Sequence, residues 1–233
     1  MQRRDFFTVG ATLAVLAAGA CAKSSAGELQ LVEGASKFDA SALGTLAAKP
    51  ADVRQVWDVG TNPPAALSEI KNSLNGFQFG YGMDPKRLSI VACLHNVANI
   101  VAYDDDAWQK YNFGDVFGIK DRSGNAITTN IFAHARAKPN PDADPNDPSG
   151  MYQDPTLETL QRRGVAVFAC HTGAAEHARM LAQNGGQPPA AAQSILSDLL
   201  AHMRPGVVVV PSAVSTLGLL QYRYRYSYAG VSA

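Results

Sequence analysis

The sequence predicts an α/β domain in which a mainly parallel sheet lies between helices on both sides. Three short apolar runs carry that reading: Leu88 to Leu94, Val165 to Ala169 and Val207 to Val210. Each run is continuous rather than alternating, which is the mark of a strand buried on both faces and therefore of a parallel sheet. The second and third follow the turn residues Gly164 and Gly206, and helix-capable segments come after them, so the units read β-then-α. Of the 233 residues 46% are hydrophobic and 17% charged, too apolar and too weakly charged for a disordered chain and enough for one medium-sized core.

Taken from the start, Met1 to Ala22 reads as an export signal. Arg3 and Arg4 precede an uncharged small and apolar run from Thr8 to Ala20, shorter than the roughly 20 residues a membrane-spanning helix needs. Arg3-Arg4-Asp5-Phe6-Phe7 resembles the twin-arginine signal, with an ordinary secretory signal as the alternative. Cleavage after Ala20 or Ala22 would follow a small-x-small triplet, and the first would expose Cys21, where a lipid anchor is the less favoured outcome because Ala18 replaces the customary Leu. The expected destination is the periplasm or beyond, with a soluble mature protein. Losing Arg3, Arg4 and Asp5 leaves 18 basic against 19 acidic groups, a surface with no strong preference for partners of either charge.

Residues 23–63, rich in Ala, Ser, Gly and Thr, read as a loosely structured lead-in. The α/β domain is expected over 64–233. Ala66-Leu67, Ile70 and Leu74 recur at three- and four-residue steps between Pro63-Pro64 and Gly76, as an amphipathic helix requires. The first apolar strand follows, and then an insertion over about 112–153. Within it Lys138 to Gly150 holds four prolines and three aspartates and reads as a loop. After the second strand, Ala174 to Gln183 predicts a helix stopped by Asn184-Gly185-Gly186, and Ala190 to Met203 another stopped by Pro205. Ser212 to Gln221 is helix-capable, and Tyr222, Tyr224, Tyr226 and Tyr228 alternate as in an edge or exposed strand.

Several function classes lose their supports. Twenty basic against 20 acidic residues leave no basic footprint for nucleic acid. Three cysteines without C-x-x-C spacing argue against a disulfide framework, a zinc ribbon or c-type haem. No GxGxxG follows a strand, and neither a Walker motif nor a GxSxG elbow occurs, so no cofactor is expected. Asp142, Asp144 and Asn146 imitate a calcium loop, but Asp147 stands where glycine belongs and the closing Glu is missing.

In an open parallel sheet, ligands bind at the carboxyl ends of the strands. There the first run delivers Cys93 and His95, the second Cys170 and His171, and the third Pro211 and Ser212. Cys170 stands between a strand and the helix opening at Gly173-Ala174, whose unpaired N–H groups would favour a thiolate. His171 beside it, or His95 across the edge, could add a hydrogen bond or positive charge. Equally, Cys170 could be a small buried residue ending its strand, and Cys93, inside its run, reads as core. A metal held by Cys170, His95, His171 and His134 would satisfy ligand chemistry but lacks the spacing of known sites, and none is expected.

The segment from Arg163 to the end resembles the DsrE/DsrF-like (DsrEFH) family. The residues that carry this are Gly164-Val-Ala-Val-Phe-Ala-Cys170 with its helix, Pro205-Gly206-Val-Val-Val-Val-Pro211-Ser-Ala-Val, and Leu219-Leu220-Gln221 before the tyrosines. Leu88 to His95 is similar to that family's first strand. The resemblance implies a three-layer α/β sandwich, flavodoxin-like in arrangement, that assembles as a homo-oligomer. It further implies sulfur relay, with a persulfide on the cysteine matched by Cys170, His171 and His95 tuning it, and a sulfur donor or acceptor protein as partner. The export signal and the long insertion depart from the family's short cytoplasmic members. The competing expectation is a non-catalytic module that binds a small ligand or metal in the same crevice.

Overall fold

Seven successive buried residues, Leu88–Leu94, form the central strand of the sheet. The structure is a computed structural model, and it describes Phe38 and residues 41–231; the stretch read as an export signal, with Cys21, and the lead-in over 23–37 lie outside the described residues. Within these, β1 (Val53–Val59), β2 (Leu88–Leu94), β3 (Ala166–Cys170), β4 (Val207–Val210) and β5 (Ser227–Gly230) form one sheet in the order β4-β3-β2-β1-β5. Every pairing is parallel. The helices are α1 (Ser41–Ala48), α2 (Pro63–Asn75), α3 (Asp105–Lys110), α4 (Phe113–Val116), α5 (Leu157–Arg162), α6 (His171–Asn184), α7 (Ala191–Ala201) and α8 (Ala213–Tyr224).

The strand period of two splits the core into two layers. Leu88, Ile90, Ala92 and Leu94 of β2 pack with α2, α3, α5, α6 and α7 on one face, around the buried Tyr103, Trp108 and Phe113. Val91 and Cys93 face the other way, towards Leu217 and Leu220 of α8 and Leu43 and Leu46 of α1. The result is the three-layer α/β sandwich.

Handedness explains which helix covers which face. From β1 to β4 the chain steps steadily across the sheet, so right-handed crossovers put the intervening helices on one side; the return from β4 to β5 runs backwards and puts α8 on the other. The chain therefore leaves the neighbouring strands β3 and β4 towards opposite faces. Such a reversal opens a crevice at the carboxyl edge. The strand beside β1 at the far edge is the chain's last, whereas a flavodoxin sheet places its second strand there.

Two stretches differ from the sequence expectation. Val53–Val59, inside the stretch read as lead-in, is β1, paired along its whole length with β2. Its polar residues break the apolar pattern, yet each finds a hydrogen-bond partner. Arg54 donates to the carbonyls of Leu46 and Lys49, and Gln55 Oε1 accepts from Trp57 Nε1 and Ser73 Oγ. At the other end, Tyr222 and Tyr224 belong to α8, and only Ser227–Gly230 forms the edge strand. Arg225 ends that helix in the left-handed region at φ 62°, a conformation that nothing in the tyrosine alternation announces.

The loop over 138–150 is built from Asx turns, in which Asn140, Asp144 and Asp147 accept the N–H two residues on. It is fastened to the domain from below. Tyr152 Oη donates to the Pro141 carbonyl at 2.8 Å, and Asn75 Nδ2 donates to the Tyr152 carbonyl at 2.8 Å.

Candidate functional site

Cys170 ends β3 and is at the same time the N-cap of α6, so its sulfur sits where strand passes directly into helix. The Sγ accepts the N–H of Gly173 at 3.4 Å, from the first turn of α6. It also accepts the N–H of Ala213 at 3.4 Å, the first residue of α8. Thr172 Oγ1 completes the set at 2.9 Å. Two helix N-termini on opposite faces of the sheet thus direct N–H groups at one sulfur atom, in the crevice between β3 and β4. Each terminus presents unpaired donors and the positive end of its dipole to the sulfur. Cys170 is 4% exposed, which limits access to small species.

A buried amide fixes the cysteine backbone. Asn99 Oδ1 accepts the Cys170 N–H at 3.0 Å, and Asn99 Nδ2 donates to the Cys170 carbonyl at 3.1 Å. Asn99 thereby replaces a strand at the point where β2 has ended. Asn99 Nδ2 reaches Tyr103 Oη at 3.3 Å, and that hydroxyl lies 3.5 Å from His177 Nδ1.

Burial lowers the pKa of His177 from 6.5 to about 4, with the Asn96 backbone opposing the shift. The unfolded chain takes up a proton near 6.5 and the folded one only near 4, so between these values unfolding binds protons. The stability tied to a neutral His177 is complete above about pH 6.5 and is lost as pH falls towards 4, by up to about 3 kcal/mol. Urea unfolding at pH 7 and pH 4.5 measures the loss, and His177→Gln is expected to flatten the slope over that interval.

The two histidines expected beside Cys170 differ in their surroundings. His171 is the first residue of α6 and is buried, its ring edge-on to Phe38 with centroids 5.3 Å apart. The next residue, Thr172, places its Oγ1 2.9 Å from the Cys170 sulfur. His95 Nε2 lies 2.5 Å from Asp58 Oδ1, so its ring leans towards β1 and away from β3. Gly60 makes room for it: a Cβ at that position would meet the ring at 2.6 Å. Tyr228 Oη donates to Asp58 Oδ2 at 2.7 Å, so Asp58 links the ends of β1, β2 and β5. A small cleft of about 210 Å³ opens beside this trio. No local pattern announces Asp58 and Tyr228 beside His95, because the pairings of β1 with β2 and of β5 with β1 are long-range.

Cys93 is fully buried, and burial first, then the charges of Asp58 and Cys170, raise its pKa far above the usual thiol value. It is a core residue, as its place inside the apolar run suggested. Cys170, His95, His171 and His134 do not form a ligand cluster among the described residues, and His134 instead pairs with Asp105 at 2.8 Å. The one group there with ligand atoms close enough for a metal is Asp104, Asp106 and His202, in which Asp104 already caps α3 and pairs with His202 at 3.0 Å.

No protein-family model, curated protein or solved structure matches the chain.

Proposed function

We propose that this is an exported, DsrE-like protein that carries sulfane sulfur on Cys170. The observation that supports it best is the convergence of the Gly173 and Ala213 N–H groups on the Cys170 sulfur. In the step we envisage, the Cys170 thiolate attacks the terminal sulfur of a protonated polysulfide. A new S–S bond forms at Cys170, the donor's S–S bond breaks, and its electron pair leaves with the shortened polysulfide. Sulfur moves between thiol-level groups, so no external oxidant or reductant enters. The slight exposure of Cys170 favours such a small donor over direct delivery by a protein.

His95 and His171 enter this reading as positioning groups only: His171 anchors the first turn of α6, and His95 ties the neighbouring strand end to Asp58. Homo-oligomerisation remains part of the proposal, and Val214, Leu219 and Tyr222, exposed on α8, are among the exposed apolar residues available to it. The second reading, a binding module in which Cys170 is a structural helix cap, rests on the near-complete burial of the sulfur.

Incubation with polysulfide followed by intact-mass measurement and peptide mapping separates the two. The carrier reading expects one added sulfur on the peptide containing Cys170 and none on that containing Cys93. An unmodified Cys170 in the native protein, modified only after unfolding, would establish the cap.

A further inference from the structure

At the opposite, amino edge of the sheet, a cleft of about 390 Å³ is lined by Lys49, Lys86, Arg162 and Arg163 and by no acidic residue. These cations come from the segments that lead into three adjacent strands: Lys49 before β1, Lys86 before β2, and the two arginines before β3. In a chain with 20 basic and 20 acidic residues such a one-signed cluster does not follow from composition. Only Arg162 has a carboxylate, through its pair with Glu158. Lys49 Nζ donates to the Leu88 carbonyl at 2.9 Å, and Lys86 is exposed; neither has an acidic partner among the described residues.

Arg163 is the built part of the site. Its guanidinium lies over the Tyr152 ring at 5.0 Å, and Nη2 donates to Asn75 Oδ1 at 2.8 Å, so its plane is held from two sides. Its Nη1 is buried and has no acceptor among the described residues. Burial also lowers its pKa to about 10, the mark of a cation set in a poorly solvated place without a counter-charge. A half-buried guanidinium lacking an anion is costly, and its N–H donors not already held by Asn75 suit the oxygens of phosphate and carboxylate groups.

We propose that this cleft binds a small oxyanion bearing two or more negative charges, with Arg163 as its main anchor and Lys86 and Lys49 supplying further charge. It lies at the end of the sheet away from Cys170, so it stands or falls independently of sulfur chemistry.

The test is calorimetric titration of the full chain with pyrophosphate and, separately, citrate, at about 10 mM ionic strength where screening is weak. Saturable binding of at least one probe is expected, weakened about tenfold or more in Arg163→Gln, since a hydrogen bond to a charged group is lost. Lys86→Gln, at an exposed position, is expected to weaken it by about threefold. Binding of pyrophosphate alone identifies a phosphoryl ligand, binding of citrate alone a polycarboxylate, and both a general polyanion site. Absence of saturable binding, or affinities unchanged in Arg163→Gln, overturns the proposal. Should Arg163→Gln fail to fold by circular dichroism, the Lys49→Gln/Lys86→Gln double variant decides, and an unchanged affinity there overturns it equally.

Discussion

Cys170→Ser is expected to abolish sulfur loading completely while leaving the fold in place. A serine hydroxyl at this position still accepts the Gly173 N–H as an N-cap, a role in which serine is among the best residues. The stability change should therefore stay within about 1 kcal/mol, or roughly 2–4 °C in Tm for a domain of this size. Serine cannot form a persulfide, so the mass increase on polysulfide treatment should vanish. The matched control is Cys93→Ser, which removes a thiol that is fully buried and far from the ionised state, and should leave loading on Cys170 unaltered. If Cys170→Ser still gains sulfur on the same peptide, or if loading follows Cys93 instead, sulfur handling at Cys170 is wrong.

Asn99→Leu should cost more stability than any change to the sulfur itself. Asn99 is completely buried and makes both hydrogen bonds to the Cys170 backbone. Replacing it removes two bonds and strands a buried N–H and C=O, each an orphan in a place water does not reach. Together these amount to about 3 kcal/mol or somewhat more, seen as a Tm lowered by roughly 6–12 °C. Loading should also slow, because the sulfur is aimed at the Gly173 and Ala213 N–H groups only while the Cys170 backbone is held. Asn99→Asp separates the two bonds: it retains the acceptor for the Cys170 N–H and loses the donor to its carbonyl. Parental unfolding in urea for Asn99→Leu would show that the clamp carries no stability.

The sequence by itself determined the fold class, three of the five strands and the strand end that bears Cys170. It could do so because a continuous apolar run marks a strand and the residue that follows it lies at the carboxyl edge, although Val207–Val210, at the edge of the sheet, is only partly buried and not covered on both faces as its run predicts. Leu88–Leu94 is buried from end to end, and helix α2 occupies the stretch that the steps from Ala66 to Leu74 required. Where burial is shared with polar partners, the pattern fades. Val53–Val59 carries Arg54, Gln55 and Asp58, satisfied by the end of α1, by Ser73 and by His95, so its pattern resembles that of a loop.

Only the tertiary structure decided what surrounds the sulfur. The Ala213 N–H comes from 43 positions along the chain, and the Asn99 amide from 71 in the other direction. Ala213 reaches Cys170 because the connections from β3 and β4 depart to opposite faces, and Asn99 because the segment that leaves β2 passes beside the end of β3. His95 was legible as a residue of the edge but not in its direction, since Asp58 belongs to a strand whose place beside β2 no local pattern reports. The basic cleft has the same origin, assembled from four cations on three separate strand approaches. Local periodicity reports how deeply each residue is buried, whereas strand order and crossover direction, which are long-range closures of the chain, select the groups that meet.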